Sequence, residues 1–168
     1  MTKQADSPAD ILALYADGPR QLEIALQGLS DDNLDLAPAP DSWSIRQIVH
    51  HLADGDDIWK ACIKMALGNS NGLFSLLWYW EKDQMEWSKC WNYAGRSIEP
   101  SLALLQANRR HIVELVQPIT KTWDKSVRVL RPQGQEERIS IGEVIKMQAG
   151  HVVAHVKDIQ AIRITQPL

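Results

Sequence analysis

His51, His151 and His155 are the residues of this chain whose type and spacing could do chemistry. His151 and His155 stand four apart in HVVAHVKDI, and His51 lies far upstream in VHHLAD. On a helix, four residues advance about 6 Å and turn only about 40° out of alignment, so both imidazoles of the late pair project from one face. A third imidazole from a facing helix completes a three-nitrogen donor set with a coordination position left open. That is the arrangement of a catalytic divalent-metal site rather than a purely structural one. Buried imidazoles need polar partners, and one cation satisfies three at once. His50 is turned about 100° from His51 and is expected at the side of a bundle or in solvent. His111, in RRHIVEL, is the reserve candidate if it faces inward.

Other chemistries are set aside by what the chain lacks. HVVAH has Val152 where a zincin protease needs a glutamate beside its first histidine. No Glu-x-x-His pair points to a di-iron bundle, no Cys-x-x-Cys points to a zinc ribbon, and no glycine-rich phosphate loop or nucleophile elbow is present. Cys62 follows His51 by about three turns, roughly 16 Å along a helix, too far to share its ion. It reads as a buried structural thiol, and with Cys90 it is too little for a disulfide framework.

The net charge of −3 and pI near 5.9 give no electrostatic case for nucleic acid or an anionic membrane. The longest apolar run, near Leu73 to Trp80, is too short to span a bilayer, and MTKQADSPAD has no apolar signal segment. The expectation is a cytoplasmic protein with reduced thiols, a small-molecule partner and, at 168 residues, one domain with a real core.

Four long helical patterns must position the histidines. The first opens at Ser7-Pro8-Ala9-Asp10, carries Leu12, Leu14 and Tyr15, should break or kink at Gly18-Pro19, and resumes through Leu22, Ile24, Ala25 and Leu29. Asp31 to Asp41 is a loop. The second starts near Ser44, with Gln47 completing a capping box, runs through Ile48, Leu52, Gly55, Trp59, Cys62 and Ala66, and stops at Gly68. Asn69 to Leu77 reads as loop with at most a short helical turn. The third runs from Ile98 to Val116, with Leu102, Leu105, Ile112, Leu115 and Val116 on its buried face, and Pro118 ends it. Val127 to Ile139 gives a weak signal for a small hairpin or irregular excursion. The fourth begins at Ser140, with Glu143 as its capping partner, and buries Ile141, Val144, Ile145, Gln148, Val152, Ile159 and Ile162. The histidines continue the inward rows of the second and fourth helices, and the fold class is an all-α four-helix bundle.

The stretches GPRQLEIALQGLS, PAPDSWSIRQIVHHLADGD and ISIGEVIKMQAGHVVAHVKDIQAI resemble the DinB/YfiT-like metalloenzyme family, and SLALLQANRRHIVELV is similar to its third helix more loosely. The resemblance spans Gly18 to Ile164. It implies an up-down-down-up helix course, often a homodimer, and a divalent ion, commonly zinc or nickel, on three histidines. Those map to His51, which directly precedes Leu52-Ala53-Asp54, and to His151 and His155. Characterised relatives include S-transferases and isomerases using low-molecular-weight thiols such as bacillithiol or mycothiol; others are assigned metal-dependent hydrolysis. The alternative is a metal-binding, stress-associated dimer with no reaction of its own.

Two acidic residues could orient a ligand. Asp54, one turn after His51, is the first choice and Asp158, three after His155, the second; the plain alternative makes Asp54, Asp56 and Asp57 surface charges. Seven tryptophans against one phenylalanine are unusual. Trp80, Trp87 and Trp91 fit one stripe of a further helix, as core, pocket wall or dimer seam. Trp43 is placed to staple its loop to the bundle.

Overall fold

The computed structural model describes residues 7–165; the amino-terminal stretch read for a signal segment lies largely outside them. The four long helices form: α1 (Pro8–Leu26), α2 (Ile45–Gly68), a third at Glu99–Leu115 and a last at Ile141–Thr165. Local chemistry sets their starts. Ser7 and Asp10, Ser44 and Gln47, and Ser140 and Glu143 each exchange side-chain and backbone hydrogen bonds, satisfying amide groups that a helix start leaves free. Between α2 and the third long helix lie β1 (Leu73–Ser75), α3 (Leu77–Trp80) and α4 (Gln84–Cys90). The third long helix is therefore α5. It is followed by α6 (Ile119–Thr122), β2 (Ser126–Leu130), β3 (Glu136–Ser140) and the last helix, α7.

Cross-helix contacts fix the course of the bundle. His50 meets Ser101 and Asp57 meets Asn108, so α2 and α5 run parallel. His51 meets His155 and Gly55 meets His151, so α2 and α7 run antiparallel. Gly18 lies against Val152, and the Ala25 carbonyl accepts from Arg163, so α1 and α7 run parallel. The course is up-down-down-up. Each of α1 and α2 packs on both α5 and α7.

Of the break or kink expected at Gly18-Pro19, the break does not occur: α1 runs on through Pro19. Pro19 has no N–H to return to the Tyr15 carbonyl. That carbonyl accepts instead from Arg109 Nη1 at 2.8 Å. Gly18 supplies the space, because a Cβ there would overlap the guanidinium. Arg109 also donates to Asp56 Oδ1 at 3.0 Å and to the Gln148 carbonyl at 2.9 Å. One α5 side chain thus ties together α1, α2 and α7. Asp56, read from sequence as a surface charge, is fully buried against it.

The molecule is mostly helical but not strictly all-α. β2 and β3 form the expected hairpin, and β1 joins it in parallel to make a three-stranded sheet ordered β1-β2-β3. Phe74, Val127, Val129 and Ile139 point into a core shared with Cys62, Ile63 and Ala66 of α2 and Ile112 of α5. The sheet therefore closes the end of the bundle where α2 and α5 finish. The buried row of α7 is as expected from sequence, whereas Leu14, Ile24 and Leu115 face outward. Trp80, Trp87 and Trp91 do not share one helix. Trp80 is on α3, Trp87 is on α4, and Trp91 follows α4 and stacks on Trp87 with centroids 4.8 Å apart. No described helix is long and apolar enough to cross a membrane.

Candidate metal centre

α2 and α7 bring His51, His151 and His155 together. One ring nitrogen from each lies within 4.8 Å of the others. The Nε2 atoms of His51 and His151 are 2.9 Å apart. Two nitrogens on one tetrahedral zinc ion stand about 3.3 Å apart, given bonds of about 2.0–2.1 Å. The close His51–His151 pair must therefore open slightly, and any pair near the 4.8 Å limit must draw together by roughly an ångström or more, for the three rings to share one ion. Gly55, one turn after His51, faces the His151 ring, which passes at contact distance, 3.8 Å from where a Cβ would stand.

His155 is oriented by Asp158. Its Nδ1 lies 3.0 Å from Asp158 Oδ2. A carboxylate oxygen accepts, so Nδ1 carries the proton and Nε2 presents its lone pair, the carboxylate–histidine arrangement found behind many metal ligands. Trp43, expected only to staple its loop, forms a wall of the cluster. Its indole meets His51 edge-on at 4.2 Å and stacks near-parallel on His155 at 6.0 Å.

The electrostatics favour neutral rings. Burial lowers the His51 pKa to about 2, reinforced by repulsion from His151 and His155. Burial lowers His151 to about 4, with His155 and Arg109 adding to the effect. His155 is also lowered by burial, opposed by Asp158. Neutral imidazoles are the form that binds a metal. Three nitrogen donors with little affinity for protons suit a borderline divalent ion.

The other candidates stand elsewhere. His50 is buried against α5, with Nδ1 2.7 Å from Ser101 Oγ and Nε2 3.3 Å from the Arg96 carbonyl. It faces the side of the bundle, as one of its two expected positions had it. His111 is exposed and does not reach the cluster. Asp54, ranked above Asp158 from sequence, turns away to a cleft of about 480 Å³ with Trp78, Trp91 and Arg96. Cys62 is buried, as the sequence reading supposed, and burial pushes its thiol up to about 12.

Two clefts flank the cluster. One, of about 380 Å³, is lined by His51, His151, Gly55, Trp59, Tyr79, Gln84, Met147 and Gln148. The other, of about 410 Å³, is lined by Pro38, Trp43, Ile48, His155, Asp158, Ala161 and Ile162. Sequence reasoning missed Trp43, Tyr79 and Gln84 as site residues. Trp43 alone had a signal, its place directly before the cap of a histidine-bearing helix.

Fold and site together define a class: an up-down-down-up four-helix bundle with three convergent imidazoles on the α2–α7 seam. The family model of the DinB superfamily matches residues 14–159, and the chain belongs to that family. Similar proteins include two named "Putative metal-dependent hydrolase". One, from Oceanobacillus iheyensis, is 28% identical over 146 residues, covering 87% of this chain and 80% of the relative. The other, from Geobacillus thermodenitrificans, is 24% identical over 160 residues, covering 95% and 86%. The fold matches that of YfiT from Bacillus subtilis, described as "a probable metal-dependent hydrolase with an unusual four-helix bundle topology", with a TM-score of 0.81 and 21% identity over 98% of this chain and 92% of that one.

Proposed function

We propose that this protein is a metal-dependent enzyme acting on a small molecule, with hydrolysis as its reaction and His51, His151 and His155 as the ligands of one divalent ion. The observation that carries this is the convergence of three imidazole nitrogens between two clefts, a donor set that on a four-coordinate ion would keep one position for a reactant. The hydrolase names of the relatives support the reaction class. A bound divalent ion supplies Lewis-acid polarisation of a carbonyl and lowers the pKa of a water or thiol ligand.

The chain's own residues hold and shape that centre. Asp158 keeps the His155 proton on Nδ1 and so aims Nε2 inward. Trp43 packs against His51 and His155 and gives that side of the centre an apolar wall. On the other side Gln84 accepts a hydrogen bond from the Tyr79 hydroxyl at 2.7 Å, fixing a polar wall beside His51 and His151.

The test is cobalt substitution. The visible spectrum of the cobalt protein should change on adding azide or a small thiol, because a new ligand alters coordination, while His155→Ala protein stays silent. A response to thiol without one to azide moves the reaction toward thiol transfer. A spectrum indifferent to every small ligand marks a closed structural site and removes the enzymatic reading in favour of a metal-binding protein without a reaction.

A further inference from the structure

We propose that the cleft between Trp43 and the end of α7 is the specificity pocket of the metal centre, and that it takes an uncharged apolar arm, alkyl or aryl, of a substrate whose polar head reaches the ion. This rests on the metal-centre reading above. The cleft begins at the cluster itself, because the His155 ring is part of its wall and Trp43 touches both His51 and His155. Its volume of about 410 Å³ lies in the range of small-molecule sites.

Its chemistry is one-sided. Pro38, Trp43, Ile48, Ala161 and Ile162 provide an apolar surface. The two polar side chains present, His155 and Asp158, are bonded to each other. A polar arm would lose its water and find few partners there, whereas an apolar arm loses nothing and gains burial. The cleft on the far side of the cluster differs, since Tyr79, Gln84 and Gln148 line it. The far cleft is itself apolar over most of its wall, with Gly55, Trp59 and Met147, and adds those polar groups to it. A substrate with an apolar group beside its reactive carbonyl or thiol matches the Trp43 cleft.

Ala161 is an exposed rim residue, so enlarging it fills the pocket without disturbing the core. The experiment is calorimetric titration of zinc-loaded protein with hydroxamates, from acetohydroxamate through longer n-alkyl chains. Affinity should rise roughly fourfold per added methylene until the pocket is full. A chain ending in a carboxylate should bind more weakly than a methyl-ended chain of the same length. Ala161→Trp should abolish the gain with chain length and leave acetohydroxamate affinity within about twofold, as a change confined to the pocket requires. Binding of acetohydroxamate with no chain-length dependence, or a dependence that Ala161→Trp leaves intact, overturns the assignment of the pocket alone. Failure of acetohydroxamate to bind a zinc-loaded protein overturns the open coordination position, and with it this assignment.

Discussion

His155 is held by a carboxylate, while His51 and His151 are held by neighbouring rings and by burial. The difference predicts graded responses. Alanine in place of any of the three should weaken metal binding at least tenfold, read by titration after complete chelation. Asp158→Asn keeps the size but weakens the acceptor, and should cost roughly tenfold in metal affinity, less than loss of a ligand. His50→Ala should leave metal affinity nearly unchanged yet lower stability, because it strips Ser101 of a buried partner. Equal metal loss in His50→Ala and His51→Ala would contradict the register of α2. The convergence of these three histidines was legible in the sequence because a spacing of four on one helix, continuing an apolar row, has a direct geometric meaning. Asp158 was legible as a candidate but ranked below Asp54. Both sit three residues from a histidine, and only the rotation of each helix against its neighbour decides which turns toward the cluster.

The elements were legible where a local rule governs them. The three capping pairs and the apolar rows of α2 and α7 follow from side chains within a few residues of one another. β1 was not legible, since its three residues are held by a parallel partner more than fifty residues later in the chain. The break allowed for at Gly18-Pro19 fails to occur for the same reason. Local chemistry says break, but a distant arginine supplies the donor that proline lacks. Gly18→Ala should therefore destabilise the fold by far more than a helix-propensity change, which would favour alanine. Chemical denaturation should show a loss of on the order of 1–3 kcal/mol, the range for overpacking a filled site; a gain would contradict the docking of Arg109 at this position. Arg109→Leu should cost on the order of 3–5 kcal/mol by stranding Asp56 in the core. Adding Asp56→Leu to Arg109→Leu should recover part of that loss, because the native pair already leaves Asp56 Oδ2 without a partner.

For the molecule as a whole, the up-down-down-up course sets the first half of α2 antiparallel to the middle of α7, which is what makes one cluster from distant histidines. It also makes the fold sensitive to acid. His51 and His151 have folded pKa values of about 2 and about 4, below the ordinary value near 6.5. Below about pH 6.5 the unfolded chain therefore binds protons that the folded chain refuses. Their neutral burial contributes fully above that pH, and the contribution is lost as pH falls toward the folded values. Metal-free protein should lose stability from about pH 6.5 down to about pH 4, at up to about 1.4 kcal/mol per pH unit for each histidine. Urea midpoints across that range are the check, and a flat profile would contradict the buried neutral cluster. Loaded protein should release its ion in the acid part of the same window, as protons displace it. The central claim is the identity of the metal ligands, and X-ray absorption at the zinc edge of stoichiometrically loaded protein tests it most directly. Three imidazole nitrogens at about 2.0–2.1 Å with one or two further light ligands are expected, falling to two imidazoles in His155→Ala. A sulfur neighbour, a fourth imidazole, or an unchanged shell in His155→Ala would contradict it.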